Sequence, residues 1–527
     1  MFELVSIDSV HPSSYNPRTA DPRRLDLLEL SIRKLGFIHP LYADENGELL
    51  SGHQRQFVSK RMGLTQLPVG RTAAMDLNTR KAVNIAFNRG TNDFNVQDTC
   101  KTLAAMLEAH DPVGLASRLA DCPPEKFFRC MHPESVPLDE LLAANVGRWI
   151  QYARNISCTL EGHGIILPII CTPDRKVVNG IGRLQLAGER KQPFVDVVTI
   201  NEEEAAFANV MLNYLSMDFD IHTRYADLLR YNSFRRPSGV KKWLGQSFTF
   251  ALVKSNACKT FDLSSSANRA KWIRQYGRTI CDFGCGLMDE TRIVRSIGVK
   301  SIPFEPYFLD ANREICPPLA RKIAREFLEE IASGVKFDSI FLSAVLNSVP
   351  FLEDRKHVIC ILAALCLPGT KVYAHAASDH SRNYLNANGA DMVSRTANSQ
   401  SKFNLDYEPR ITIGELGAKP KVQKYHTPAE WYALWHEFFA RVIVSESSTD
   451  VMCIADRPRP VSWERLVVAL QHEFNLPYPD GSRMELTAEA LEAFRKRSES
   501  TGKIFFCKSF KISHLQLAFI VICGILI

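Results

Sequence analysis

No Cys-x-x-Cys pair occurs among the 14 cysteines of this chain, and none of its 14 histidines stands with cysteine at zinc-ligand spacing. No metal site is therefore expected. The opening MFELVSIDSV lacks the basic stretch and apolar run of an export signal. Cysteines scattered through an unexported chain read as reduced thiols, so a cytoplasmic location is expected. Long hydrophobic runs are missing too. The terminal run Leu517 to Ile527 falls well short of the roughly 20 residues that span a bilayer. It reads as a buried or aberrant tail, with no stable membrane insertion.

A strong excess of one charge is also absent: 64 basic residues face 58 acidic ones, for a net +6. With 46% hydrophobic and 23% charged residues, the 527-residue chain reads as ordinary globular protein, too long for a single core. The charge is unevenly spread. Residues 221–275 carry Arg224, Arg230, Arg235, Arg236, Lys241, Lys242, Lys254, Lys259, Arg269, Lys271 and Arg274 against Asp227 and Asp262. Tyr225, Tyr231, Phe234, Trp243, Phe248 and Trp272 are interleaved with them. Cations attract phosphate and aromatics stack on bases, which makes a nucleic-acid face. The other reading is a solvated connector whose aromatics pack on a neighbouring domain.

The first 200 residues repeat themselves. Leu25, Leu28, Ile32 and Leu35 recur at helical spacing before Gly36, a hairpin turns at Asn46-Gly47, and a short helix follows Gly52. Trp149, Ala153, Ile156 and Leu160 then form a second stripe before Gly164, with a hairpin at Pro173-Asp174 and a helix after Gly180. Gly36, Pro40, Gly52 and Arg55 match Gly164, Pro168, Gly180 and Arg183 at one fixed offset. The same order at fixed offsets marks a duplicated unit.

The stretch from Ser13 to Val69, containing "YNPRT" and "LLSGHQRQ", resembles the ParB/sulfiredoxin-like N-terminal fold. The resemblance covers roughly residues 1–75 and, more weakly, 134–200. It implies a nucleotide- or phosphate-binding set of Asn16, Arg18, Gly52, His53, Gln54 and Arg55, with a nucleoside triphosphate as ligand of the first copy. Helix-start N–H groups and a guanidinium fork both suit phosphate oxygens. Nucleotide-hydrolysing members have glutamate then arginine where this chain has His53 and Gln54. The second copy has Ile181 and Gly182 there. Anion or DNA contact is thus expected of the first copy and scaffolding of the second. Alternatively, Arg55 and Arg183 only brace the fold.

The segment TICDFGCGLMDETRIVRSIGVKSIPFEP, Thr279 to Pro306, reads as strand, glycine turn, helix and strand. Glu305 ends the second strand, where a carboxylate receives ribose hydroxyls in adenosine-binding βαβ units. A dinucleotide site needs a third glycine, but Leu287, Met288, Asp289 and Glu290 follow Gly286. Carboxylates at a helix start complement its dipole and would repel a pyrophosphate. A cationic, phosphate-free ligand fits better, which points to S-adenosylmethionine (SAM).

Downstream, VKFDSIFLSAVLNSV, LCLPGTKVYAHAA and RVIVSESSTDVMCIAD make residues 245–457 resemble the class I methyltransferase family. The resemblance implies that Asp282, Gly284 and Gly286 line the methionine end and that Glu305 holds the ribose. Ser343 to Asn347 would then face the methyl, with Ser343 and Asn347 as acceptor-side candidates. No catalytic base stands out, and His357 and His426 are given no role. SAVLN stands where exocyclic-amine DNA methylases carry Asp/Asn-Pro-Pro-aromatic, and no Pro-Cys nucleophile appears. Ordinary adenine or cytosine methylation is disfavoured. Trp431, Trp435 and Phe438 share a helical face behind a Thr427–Glu430 capping box, and read as core.

The expected fold is multidomain α/β and α+β: two small ParB-like α+β domains, then a Rossmann-like methyltransferase sheet with helices on both faces. The expected boundaries are 1–85, a helical connector 86–133, the degenerate copy 134–202, a basic linker 203–275, the methyltransferase domain 276–457 and a helical region with apolar tail 458–527. The leading functional reading is a SAM-dependent methyltransferase acting on nucleic acid, DNA foremost, or on a nucleotide-derived group. The combination resembles phage and prophage DNA-modification proteins, implying a bacterial or phage-infected cytoplasm. The alternatives are a nucleotide-gated DNA-binding adaptor with a non-catalytic methyltransferase-like domain, and small-molecule methylation with structural ParB-like halves.

Overall fold

A computed structural model describes residues 2–13, 22–90, 111–148, 151–217, 225–233, 263, 265–381, 384, 403–404, 407–414 and 421–502. Asn16, Arg18, most of the basic stretch and the apolar tail lie outside the described residues.

The duplication is visible in the backbone. Strands β1 (Phe2–Ser6), β2 (Leu41–Asp44), β3 (Leu49–Ser51) and β4 (Gln66–Thr72) form a sheet in the order β1-β4-β2-β3. Strands β5 (Glu134–Pro137), β6 (Ile169–Cys171), β7 (Val177–Asn179) and β8 (Phe194–Thr199) repeat it as β5-β8-β6-β7. Even the hairpin bulge recurs, at Tyr42/Ala43 and at Ile170/Cys171. Gly52 and Gly180, at φ 96° and 112°, start the helices His53–Arg61 and Ile181–Glu189. A Cβ on Gly52 would lie 2.5 Å from Leu41 Cγ, so that turn requires glycine.

The two copies pack on each other reciprocally. Helix Pro22–Leu35 lies against Glu202–Met217, and Leu77–Gly90 against Gln151–Gly162. In each contact the helix before the hairpin of one copy meets the helix after the last strand of the other, the pattern of an isologous two-fold pair. The Tyr42 hydroxyl donates to the Ile166 carbonyl at 2.5 Å and accepts from its N–H at 3.0 Å. Ile38 and Ile170 share one apolar cluster across the same seam.

The larger sheet contains β9 (Thr279–Phe283), β10 (Lys300–Phe304), β11 (Ser339–Ser343) and β12 (Lys371–Ala377). A small antiparallel sheet, β13 (Phe403–Asn404), β14 (Ile411–Gly414) and β15 (Lys421–Lys424), is inserted before β16 (Phe439–Glu446) and β17 (Asp450–Pro458). The large sheet runs β10-β9-β11-β12-β17-β16, with the first four strands parallel and β17 antiparallel to both its neighbours. The parallel strands are nearly continuous apolar runs because helices cover both faces. Strand order reverses between β9 and β11, which opens a crevice at their carboxyl ends.

Residues beyond β17 complete this core. Helix Trp463–Glu473 packs on Leu352–Leu365, and Thr487–Thr501 on Pro317–Ala332. Phe474 meets the Phe304 ring at 5.3 Å. The basic stretch is partly core as well: Tyr225, Tyr231 and Trp272 are buried, so these three rings pack and are not available to stack on bases. Trp431, Trp435 and Phe438 are buried as expected, behind the Thr427–Glu430 capping box. Among the described residues, no helix is long and apolar enough to cross a membrane.

Candidate functional site

The turn after β9 puts Gly284 and Gly286 at φ 83° and 56°. A Cβ on Gly284 would stand 2.3 Å from Val345 Cγ2, because the loop after β11 comes that close. Glu305, at the end of β10, is 1% exposed. Its Oε2 accepts from the Gly286 N–H at 2.9 Å and its Oε1 from the Tyr307 N–H at 3.0 Å. Burial outweighs both N–H donors and pushes its pKa up to about 8.

Asp282 anchors the helix that follows the turn. Its Oδ2 accepts from Thr291 Oγ1 at 2.6 Å, which ties helix Asp289–Ser296 to the sheet. It is 3% exposed; of the predicted site residues in this domain Gly284 lines the crevice pocket, and Asp282, Gly286, Glu305, Ser343 and Asn347 lie outside its lining. Asp289 is paired with Arg292 at 2.5 Å, so the acidic helix start is partly neutralised.

The crevice holds a small, mostly apolar pocket. Phe283, Pro306, Tyr307, Val345 and Val349 give it apolar walls, and Gly284 reaches it too. Arg230, Asp354, His472 and Glu473 add titratable groups to the same lining. Arg230 Nε donates to Asp354 Oδ2 at 2.8 Å, and His472 Nε2 lies 3.4 Å from Asp354 Oδ1. No local motif announces these four residues. Arg230 and Asp354 are 124 positions apart, and only the fold joins them.

The residues present fit SAM. Each Glu305 oxygen takes one N–H, and a carboxyl oxygen can accept a second hydrogen bond from a ribose hydroxyl. Tyr478, edge-on to Tyr307 at 6.1 Å, buries a hydroxyl with no partner among the described residues. Buried polar groups are ordinarily satisfied, so an orphan beside an apolar slot marks a place for a polar-edged ligand.

On the acceptor side, Ser343 ends β11 and Ala344 follows at φ 56°, an unusual value for alanine. Asn347 is 2% exposed, and its Oδ1 has no partner among the described residues. The inserted sheet clamps this loop: Lys424 N–H donates to the Asn347 carbonyl at 2.8 Å and the Tyr407 hydroxyl to the Pro350 carbonyl at 3.2 Å. Arg355, fully buried, donates to the Val349 carbonyl at 2.8 Å and pairs with Glu408, which also holds Lys424 at 3.0 Å.

In the first copy, Arg55 Nη1 donates to the carbonyls of His39 at 2.8 Å and Pro40 at 3.0 Å. The bracing alternative therefore holds for that edge of the guanidinium. Its Nε and Nη2 have no acceptor among the described residues. Burial lowers its pKa to about 10. His53 Nε2 accepts from the Ser13 N–H at 3.3 Å, and burial holds its pKa down to about 4, so the ring is neutral. Gln54 Oε1 accepts from Arg24 Nε at 3.1 Å. In the second copy, Arg183 Nη2 donates to Asn179 Oδ1 at 3.0 Å. Arg55→Ala is expected to strip two carbonyls of a charged donor, loosening this unit by ~2–4 kcal/mol. Hydrogen exchange in residues 36–62 would rise; unchanged protection would show that the brace carries no load.

No protein-family model matches the chain. It is 27% identical to a nucleoid occlusion protein of Geobacillus kaustophilus over 124 residues, 22% of this chain and 43% of that protein. It is 30% identical to a probable chromosome-partitioning ParB protein of Deinococcus radiodurans over 112 residues, 20% of this chain and 38% of that one. The chain spans less than half the length of these two relatives. Among solved structures, a SAM-dependent methyltransferase of Methanosarcina mazei is 18% identical, with a TM-score of 0.25, covering 35% of this chain and 96% of that one. The chain combines ParB-like sequence with an α/β domain whose sheet order reverses between β9 and β11.

Proposed function

We propose that this protein is a SAM-dependent methyltransferase acting on nucleic acid or a nucleotide-derived group, with its ParB-like copies binding DNA or nucleotide. The observation that carries this reading is Glu305, clasped to the glycine turn at the reversal of strand order. In this reading Glu305 receives the ribose hydroxyls, and the glycines let the backbone approach the ligand closely. SAM supplies an electrophilic methyl on a sulfonium, so the protein's task is alignment. Phe283, Pro306 and Val345 keep water out, and Ser343 and Asn347 orient the acceptor. The ParB-like relatives, a nucleoid occlusion protein and a chromosome-partitioning protein, support DNA as partner and a bacterial cell as setting.

Incubation with labelled-methyl SAM and separate DNA, RNA, protein and metabolite pools tests this. Label is expected in DNA or RNA. Label confined to metabolites would overturn the nucleic-acid assignment, and absence of SAM binding in calorimetry would overturn the cofactor. The adaptor reading draws on the uncommitted edge of Arg55. It predicts CTP or ATP binding that Arg55→Ala removes, with DNA affinity changing on nucleotide addition.

A further inference from the structure

Glu473 ends helix Trp463–Glu473, outside the six-stranded sheet, yet it lines the pocket. It is 5% exposed, and its carboxyl has no hydrogen-bond or ionic partner among the described residues. The charged groups around it are otherwise engaged. Asp354, from helix Leu352–Leu365, is held by Arg230. Arg230, from helix Ala226–Ser233, is divided between Asp354 and Asp227. His472 packs at a tilt on His357, ring centroids 5.0 Å apart, and leans on Asp354. Glu305 and Tyr307 face it from the end of β10, both electrostatically coupled to it. No described cation neutralises it. An ionised carboxylate so placed is costly, whereas the protonated form is not.

Burial first, and Asp354 second, push the pKa of Glu473 up to about 8. At neutral pH the group therefore presents an O–H donor beside a C=O acceptor in one plane. The amino-substituted edge of adenine offers the reverse order, an N–H donor beside a ring nitrogen acceptor. The pocket that Glu473 lines has apolar walls from Phe283, Pro306, Tyr307 and Val345, which suit a flat ring. We propose that the Glu473 carboxyl reads the amino edge of the adenine ring of SAM, so that a helix beyond the sheet sets cofactor specificity. This rests on the methyltransferase reading, in which Glu305 holds the ribose.

The test is calorimetry of S-adenosylhomocysteine binding to the full chain between pH 6 and 9.5. Affinity of the unaltered protein is expected to fall as pH passes about 8. Glu473→Gln keeps a donor and an acceptor, so it should bind within a few-fold at pH 7 and show a shallower fall. Glu473→Leu should bind ~10–100-fold more weakly. Its fold should survive, since it removes a buried unpartnered carboxyl. For the same thioether carrying unsubstituted purine in place of adenine, Glu473→Leu should lose much less. Wild-type affinity in Glu473→Leu, or an unchanged pH profile in Glu473→Gln, overturns the assignment. If Glu305→Ala abolishes binding while Glu473→Leu does not, only the Glu473 assignment falls. If the unaltered chain binds no S-adenosylhomocysteine, the methyltransferase reading falls with it.

Discussion

Glu305→Ala is expected to lower affinity for S-adenosylhomocysteine by ~100-fold or more. Two losses combine. The ribose hydroxyls lose their acceptor, and the N–H groups of Gly286 and Tyr307 lose the oxygens that fix the turn. Each N–H left unsatisfied in a buried site costs ~1–3 kcal/mol. Glu305→Gln retains one carbonyl oxygen and should fall between the two in calorimetry. The same residue gives a pH signature. Its folded pKa, about 8, lies above the ordinary 4.5. Its stabilising contribution is therefore fully present below about 4.5 and is lost as pH rises through about 8. The melting transition of this domain should drop between pH 5 and 8, and less steeply in Glu305→Gln. An unmoved transition over that window would show that the carboxyl ionises freely in the fold.

Arg355→Leu is expected to destabilise the larger domain by ~3–5 kcal/mol, the usual result of removing one partner from a buried ionic network. The guanidinium joins the Val349 carbonyl to Glu408, and Glu408 to Lys424. Without it, Glu408 keeps only Lys424, and the inserted sheet loses a tie to the loop holding Asn347. Lysine should not rescue, because a point charge cannot span a carboxylate and a carbonyl as a planar fork does. Melting would report the stability loss. Proteolysis near residues 403–424 should quicken, and methyl transfer should fall more than cofactor affinity. A melting temperature equal to that of the unaltered chain would show the network to be dispensable.

The features legible in the sequence are those enforced by local geometry. Gly52 and Gly180 had to be glycine because the turn has positive φ and Leu41 presses on one of them. The offset between the copies therefore survived wide divergence elsewhere. The apolar run of β9, its glycine turn and Glu305 were readable for the same reason. Its sequence position did not reveal that the Asp282 carboxylate also takes a hydrogen bond from Thr291, nine residues on. Arg230, Asp354, His472 and Glu473 were illegible because three distant segments meet at one pocket. For the basic stretch the sequence left two readings open, because the partners of its aromatics are remote: Trp272 packs beside Phe341, as the connector reading expected.

The reciprocal packing of the two N-terminal copies has a consequence in mass action. Two separate chains making that contact would part on dilution, since their association depends on concentration. Joined on one polypeptide, each copy meets the other at an effective concentration set by the connector, whatever the amount of protein present. The pair is thus held together in a cell containing only a few molecules. One copy can also lose its polar turn residues, as Ile181 and Gly182 replace His53 and Gln54, and still serve as the surface on which the other is built.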